Sequence, residues 1–138
     1  MALSLVERSN YYRGLLVLSG KDRIIDPRER ELMLKIGKML DFEKRFCEAA
    51  IDDLLVNTHI MKEPVLFSNP SIAECFFRDA VQLALIDGDL NPQELRWLRR
   101  VAQANGRTDQ WLDTIIRDYQ AKKEPLDQPV ALEIQHYL

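Results

Sequence analysis

Two carboxylate pairs carry the most pointed chemistry in this chain. Asp22 and Glu29 bracket the turn Asp22-Arg-Ile-Ile-Asp-Pro-Arg-Glu29, and Asp87 and Glu94 bracket Asp87-Gly-Asp-Leu-Asn-Pro-Gln-Glu94, 65 residues further on. If each pair converges on one point, hard carboxylate oxygens without His or Cys suit Ca²⁺, Mg²⁺ or Mn²⁺ rather than Zn²⁺. The same residue types also make helix caps. Asp26 and Asn91 stand before Pro27 and Pro92, Glu29 and Glu94 are placed to reach back to the cap amide, and Ile25 and Leu90 can plug the hairpin. Asp22 and Asp87 fit capping less well, because both fall near the end of a helix, where the macrodipole disfavours a carboxylate. On spacing alone, cation binding and capping both remain open. An EF-hand does not: Asp87, Asp89 and Asn91 match loop positions one, three and five, but Pro92 takes the glycine position and Leu98 that of the closing glutamate.

Catalytic chemistry has little to draw on. His59 falls in a connector and His136 close to the C-terminus, without metalloprotease spacing, and neither a Gly-rich phosphate loop nor a nucleophile elbow is present. The adjacent acids Asp52 and Asp53 would point to different faces of a helix. The expectation is a protein that is not an enzyme and has no catalytic residues. Cys47 and Cys75 lie in apolar-periodic segments without CxxC spacing and read as small buried hydrophobes. Trp97 and Trp111 read as packing residues, since Leu32 and Phe46 stand at the matching positions of the first half. Arg96, Arg99, Arg100 and Arg107 form a basic strip, read as a solvated face with docking of an acidic partner or phosphate as the alternative.

The elements that must position these residues are helical and arranged twice. At a shift of 65 residues, Tyr11-Tyr12-Arg13 lies over Phe76-Phe77-Arg78, Leu18 over Leu83, Met33 and Ile36 over Leu98 and Val101, and Phe46 over Trp111. Lys62-Glu63-Pro64 recurs as Lys123-Glu124-Pro125 at a shift of 61, which implies a four-residue deletion in the second copy. Apolar periodicity predicts helices over 7–18, 27–40 and 42–55, with Phe46, Cys47, Ala50, Ile51, Leu54 and Leu55 of the third facing inward. The second half repeats them at 70–86, 92–104 and 108–119, with Asn105-Gly106 as a left-handed stop. Residues 129–138 are expected to form a short closing helix. The expected fold is all-α and without strands: one domain over 1–138, comprising repeat one (about 7–56), a connector (about 57–69), repeat two (about 70–121) and a closing segment (about 122–138). The connector is apolar for a loop, with Ile60, Met61, Val65, Leu66 and Phe67, and either packs on the core or presents a partner-binding patch.

Composition bounds the class. The chain has 138 residues, 46% hydrophobic and 30% charged, enough apolar surface for one core and too much for intrinsic disorder. A net charge of −3 and a pI near 5.4 argue against nucleic acid as the partner. The N-terminal Met1-Ala-Leu-Ser-Leu-Val-Glu-Arg8 lacks a basic leader, and no run approaches the ~18 apolar residues of a membrane span. A cytoplasmic protein whose partner is another protein is expected.

The segment from Leu83 through Asp87-Gly-Asp-Leu-Asn-Pro-Gln-Glu94 to Ala102 resembles the TerB-like domain, named for bacterial tellurite-resistance proteins. Ala84, Asp87, Gly88 and Glu94 match that family's pattern, while the first half departs from it at Ser19 and Arg23. The resemblance extends from about Tyr11 to Tyr119. It implies a bundle of about seven helices with pseudo-twofold symmetry and a divalent-cation site carried by Asp22, Glu29, Asp87 and Glu94. It further implies a non-enzymatic role in stress response or tellurite resistance; related domains also occur at the N-terminus of membrane-anchored DnaJ-type co-chaperones. The alternative is a protein-interaction adaptor in which the acidic turns are only caps.

Overall fold

The computed structural model describes residues 3–19, 27–56, 64–85, 90–122 and 132–137, the side chains of 54–56 excepted. The described chain is all-helical: α1 (Leu5–Ser19), α2 (Pro27–Met39), α3 (Lys44–Val56), α4 (Pro70–Ala84), α5 (Pro92–Ala104) and α6 (Asp109–Lys122), then a 3-10 helix at Glu133–Tyr137. No strand occurs among these residues. None of these helices is long and apolar enough to cross a membrane.

Local chemistry sets the helix boundaries. Pro27, Pro70 and Pro92 each occupy the first helical position, where a missing N–H costs nothing and φ is already near the helical value. Asn69 caps α4 by accepting from the Ser71 amide at 2.8 Å. The Ser4 hydroxyl accepts from the Glu7 amide at 3.1 Å, so α1 starts two residues before the predicted boundary. Thr108 does the same for α6, accepting from Trp111. Gly106, with φ +74°, supplies the left-handed stop after α5. At the end of α2 a non-glycine residue adopts that conformation: Asp41 has φ 69°, and the Phe42 amide donates back to the Gly37 carbonyl at 2.9 Å. That turn uses up 40–43 and delays α3 to Lys44.

The core lies between α1 and α4, which pack on each other, with α2 and α3 against α1 and with α5 and α6 against α4. Tyr11, Phe76 and Phe77 form an edge-to-face aromatic chain at its centre, with centroids 5.6 and 5.5 Å apart. A Cβ on Gly14 would come within 2.6 Å of the Phe76 ring, so the absence of a side chain there lets α4 close on α1. Gly37 plays the same part between α2 and α3, facing the Cys47 sulfur and the Tyr12 hydroxyl. Trp97 is buried, as the packing reading expects, and Cys47 and Cys75 are free, buried thiols. Phe46 corrects its assignment as an inward residue of α3. It is 55% exposed and lies on Phe42 at 5.2 Å, because Cys47 and Ile51 take the inward line of the helix and Phe46 falls to its flank.

In the described part of the connector, 64–69, the packing role is seen, while Ile60 and Met61 lie outside the described residues. Val65 is fully buried against Gly14, Phe67 packs on Tyr11 and Phe76, and Leu66 between them faces solvent. Alternation of this kind marks extended backbone with one face on the core.

Candidate functional site

At the start of α5 the acidic turn closes on itself. The Asn91 side chain accepts from the Glu94 amide at 2.8 Å, and the Glu94 carboxylate accepts from the Asn91 amide at 3.0 Å through Oε1. Two of the three N–H groups that this proline-led helix start leaves unmatched are thereby satisfied reciprocally, and the carboxylate sits at the positive end of the helix dipole. Glu94 is buried, as is Glu29 in the first turn of α2. Asp22 and Asp87, the other member of each pair, and Asp26, the expected cap of α2, lie outside the described residues. Of the four candidate ligands, then, the structure places Glu29 and Glu94, each in the first turn of its own helix, and brings Glu94 onto Asn91. The bond from the Asn91 amide to the Glu94 carboxylate is the one a capping box requires. Among the described residues no three His, Cys, Asp or Glu side chains gather as a metal would require. Of the two histidines, His59 falls outside the described residues, and His136 is exposed beside Glu133 at 4.0 Å.

The most constrained carboxylate lies elsewhere, on α4. Asp79 is only 1% exposed. It accepts from the Tyr11 hydroxyl at 2.5 Å and from the Glu133 and Ile134 amides at 2.7 and 3.2 Å. One side chain thus joins α4 to α1 and fastens the closing 3-10 helix, where Leu132 and Ile134 enter the core. Burial pushes its carboxyl up to about 6 from an ordinary value near 3.8, against the downward pull of those three hydrogen bonds. The same surroundings raise Tyr11 well above its usual range, again chiefly through burial, and the Cys75 thiol to about 11. Burial thus disfavours the Cys75 thiolate, the form in which a cysteine attacks. A sequence signal for Asp79 does exist, because it shares the apolar line of α4 with Ile72, Phe76 and Leu83. Its partners come from 68 and 54 residues away, so spacing gives no hint of them.

A third polar arrangement holds the connector. Asn105 accepts from the Phe67 amide at 3.0 Å and donates to the Val65 carbonyl at 2.9 Å and to the Val101 carbonyl at 2.8 Å. From the other side, Asn10 donates to the Leu66 carbonyl at 3.3 Å, and Glu7 accepts from both the amide and the hydroxyl of Ser68. Beside this clamped segment lies an open groove of about 540 Å³, lined by Leu66, Phe67, Pro70, Ala73, Ala104, Asn105, Gly106 and Arg107. The Arg107 guanidinium lies over the Trp111 ring at 4.8 Å and reaches the Pro70 carbonyl at 3.5 Å. Trp111, half-buried, packs edge-on against Phe77 at 5.3 Å, so it serves packing and also supports this arginine. Comparison with known proteins finds no family model that matches the chain, and no curated protein or solved structure that matches it.

Proposed function

We propose that the chain is a non-enzymatic, TerB-like binding module, two copies of one three-helix unit with a closing segment, that works as a protein-interaction adaptor and uses its acidic turns as helix caps. The observation that carries the capping half of this reading is the reciprocal Asn91–Glu94 bond pair with Glu94 buried. The Asn91 cap is worth about 1 kcal/mol and the Glu94 carboxylate completes it, which is reason enough for both residue types.

Several correspondences support the duplication. The starts of α4, α5 and α6 each fall 65 residues after those of α1, α2 and α3. Gly106 and Asp41, the two left-handed residues among those described, are a pair at the same offset, as are buried Glu94 and Glu29. The contact of Gly14 with Phe76 and that of Asp79 with Tyr11 exchange under it, as a twofold relation between α1 and α4 would require. Pro64-Val65 and Pro129-Val130 match at 65, a second alignment of closing segment and connector beside the Lys-Glu-Pro match at 61 that carries a deletion. On this reading the closing 3-10 helix is the seventh helix, and the class of stress response or tellurite resistance comes from the TerB-like resemblance.

The adaptor reading is tested by chemical cross-linking in native lysate with the full chain as bait. A specific protein partner, displaced by excess untagged chain, is the expected result; recovery of none would contradict it.

A further inference from the structure

The groove beside the clamped connector has an apolar floor and a cationic rim. Leu66 is 58% exposed; its carbonyl accepts from Asn10, and its neighbours Val65 and Phe67 are both held by Asn105, so this leucine is presented rather than loosely displayed. Arg107 forms one edge, its guanidinium oriented by Trp111. Arg100 precedes the groove residue Ala104 by four positions, hence shares its face of α5 one turn away, and Arg96 lies one turn further along. Arg96, Arg100 and Arg107 have no ion pair among the described residues, whereas Arg99, on another face, pairs with Asp113 at 3.9 Å. On a chain of net charge −3, Arg107 in the groove lining and Arg100 one turn along α5 from it, neither ion-paired among the described residues, are a local inversion of sign.

We propose that this groove docks an acidic peptide segment of a partner protein, with an apolar side chain over Leu66 and Phe67 and carboxylates on Arg100 and Arg107. This rests on the adaptor reading and supplies its surface. Arg96 and Arg100 lie one helical turn apart, roughly 6 Å, and Arg107 follows beyond the end of the helix, which suits carboxylates spread along a chain better than one compact phosphate. A nucleic acid would need a longer basic surface than these three residues on an acidic chain.

The test is fluorescence anisotropy of the full chain with a fluorescein-labelled peptide, Asp-Glu-Leu-Phe-Glu-Asp. Control peptides carry Lys for the acids or Ser for Leu-Phe. Saturable binding of the first peptide alone is expected, weakened about tenfold by Arg100→Glu and by Leu66→Ser and further by added salt. Both substitutions are at exposed positions, and unchanged melting temperatures would show that the fold is intact. Equal binding of the Lys peptide, equal binding by both variants, or no binding at millimolar chain would overturn the proposal. So would tighter association of the same strip with single-stranded RNA or anionic vesicles. If the peptide fails while wild type and Arg100→Glu cross-link to the same protein, this groove is wrong and the adaptor reading stands; if nothing cross-links, both fall.

Discussion

At Asp79 burial and hydrogen bonding pull in opposite directions, and burial wins, leaving a carboxyl near 6 inside the bundle. The folded chain therefore holds this proton more tightly than the unfolded one does. Its contribution to stability is fully present below about pH 4, is lost as pH rises through about 6, and stays constant above. A shift of about two units corresponds to about 3 kcal/mol. Asp79→Asn removes this dependence, so the stability of wild type relative to the variant is expected to rise by about that amount between pH 7.5 and pH 4, measured by urea unfolding. A difference independent of pH would contradict the account. Asn91 makes a simpler case: Asn91→Ala leaves the Glu94 amide unmatched and should cost about 1 kcal/mol, with Asn91→Gly cheaper. The cap was readable from Asn91, Pro92 and Glu94 because a capping box is local. The Asp79 cluster was not, because Tyr11 and the closing segment meet it only through the folded chain.

Among the elements, starts were more legible than ends. Pro27, Pro70 and Pro92 mark helix starts through their own ring geometry, and Gly106 marks an end by tolerating positive φ. Asp41 carries no such mark, since aspartate adopts the left-handed conformation only when the turn around it requires it, and the expected helix accordingly ran to Leu40 and resumed at Phe42. This pair makes a matched prediction. Gly106→Ala meets no atom within 4 Å but must hold a left-handed φ, so it should lose about 1 kcal/mol; Asp41→Gly relieves the same strain and should gain about 0.5 kcal/mol after the entropy of an added glycine. Thermal melts of the two variants moving in opposite directions would bear this out, and an unchanged or stabilised Gly106→Ala would contradict it. Phe46 shows the limit of periodicity: a residue on the flank of an apolar stripe can lie on Phe42 while remaining mostly exposed.

Across the whole molecule, the all-helical class was legible because it is written in periodicity and punctuation distributed along the chain. The surface was less so, since net charge averages away the arginines of α5 and hydropathy does not tell which residue of Val65-Leu66-Phe67 faces out. The two acidic turns join these scales, as they either cap helices of a binding module or hold an ion. Calorimetric titration of the full chain and of Asp87→Asn with millimolar Ca²⁺, Mg²⁺ and Mn²⁺, together with melts at the same concentrations, decides between them. Capping predicts no saturable heat and no ion-dependent rise in melting temperature for either protein. Saturable heat from one of these ions on the wild-type chain, lost in Asp87→Asn, would contradict it.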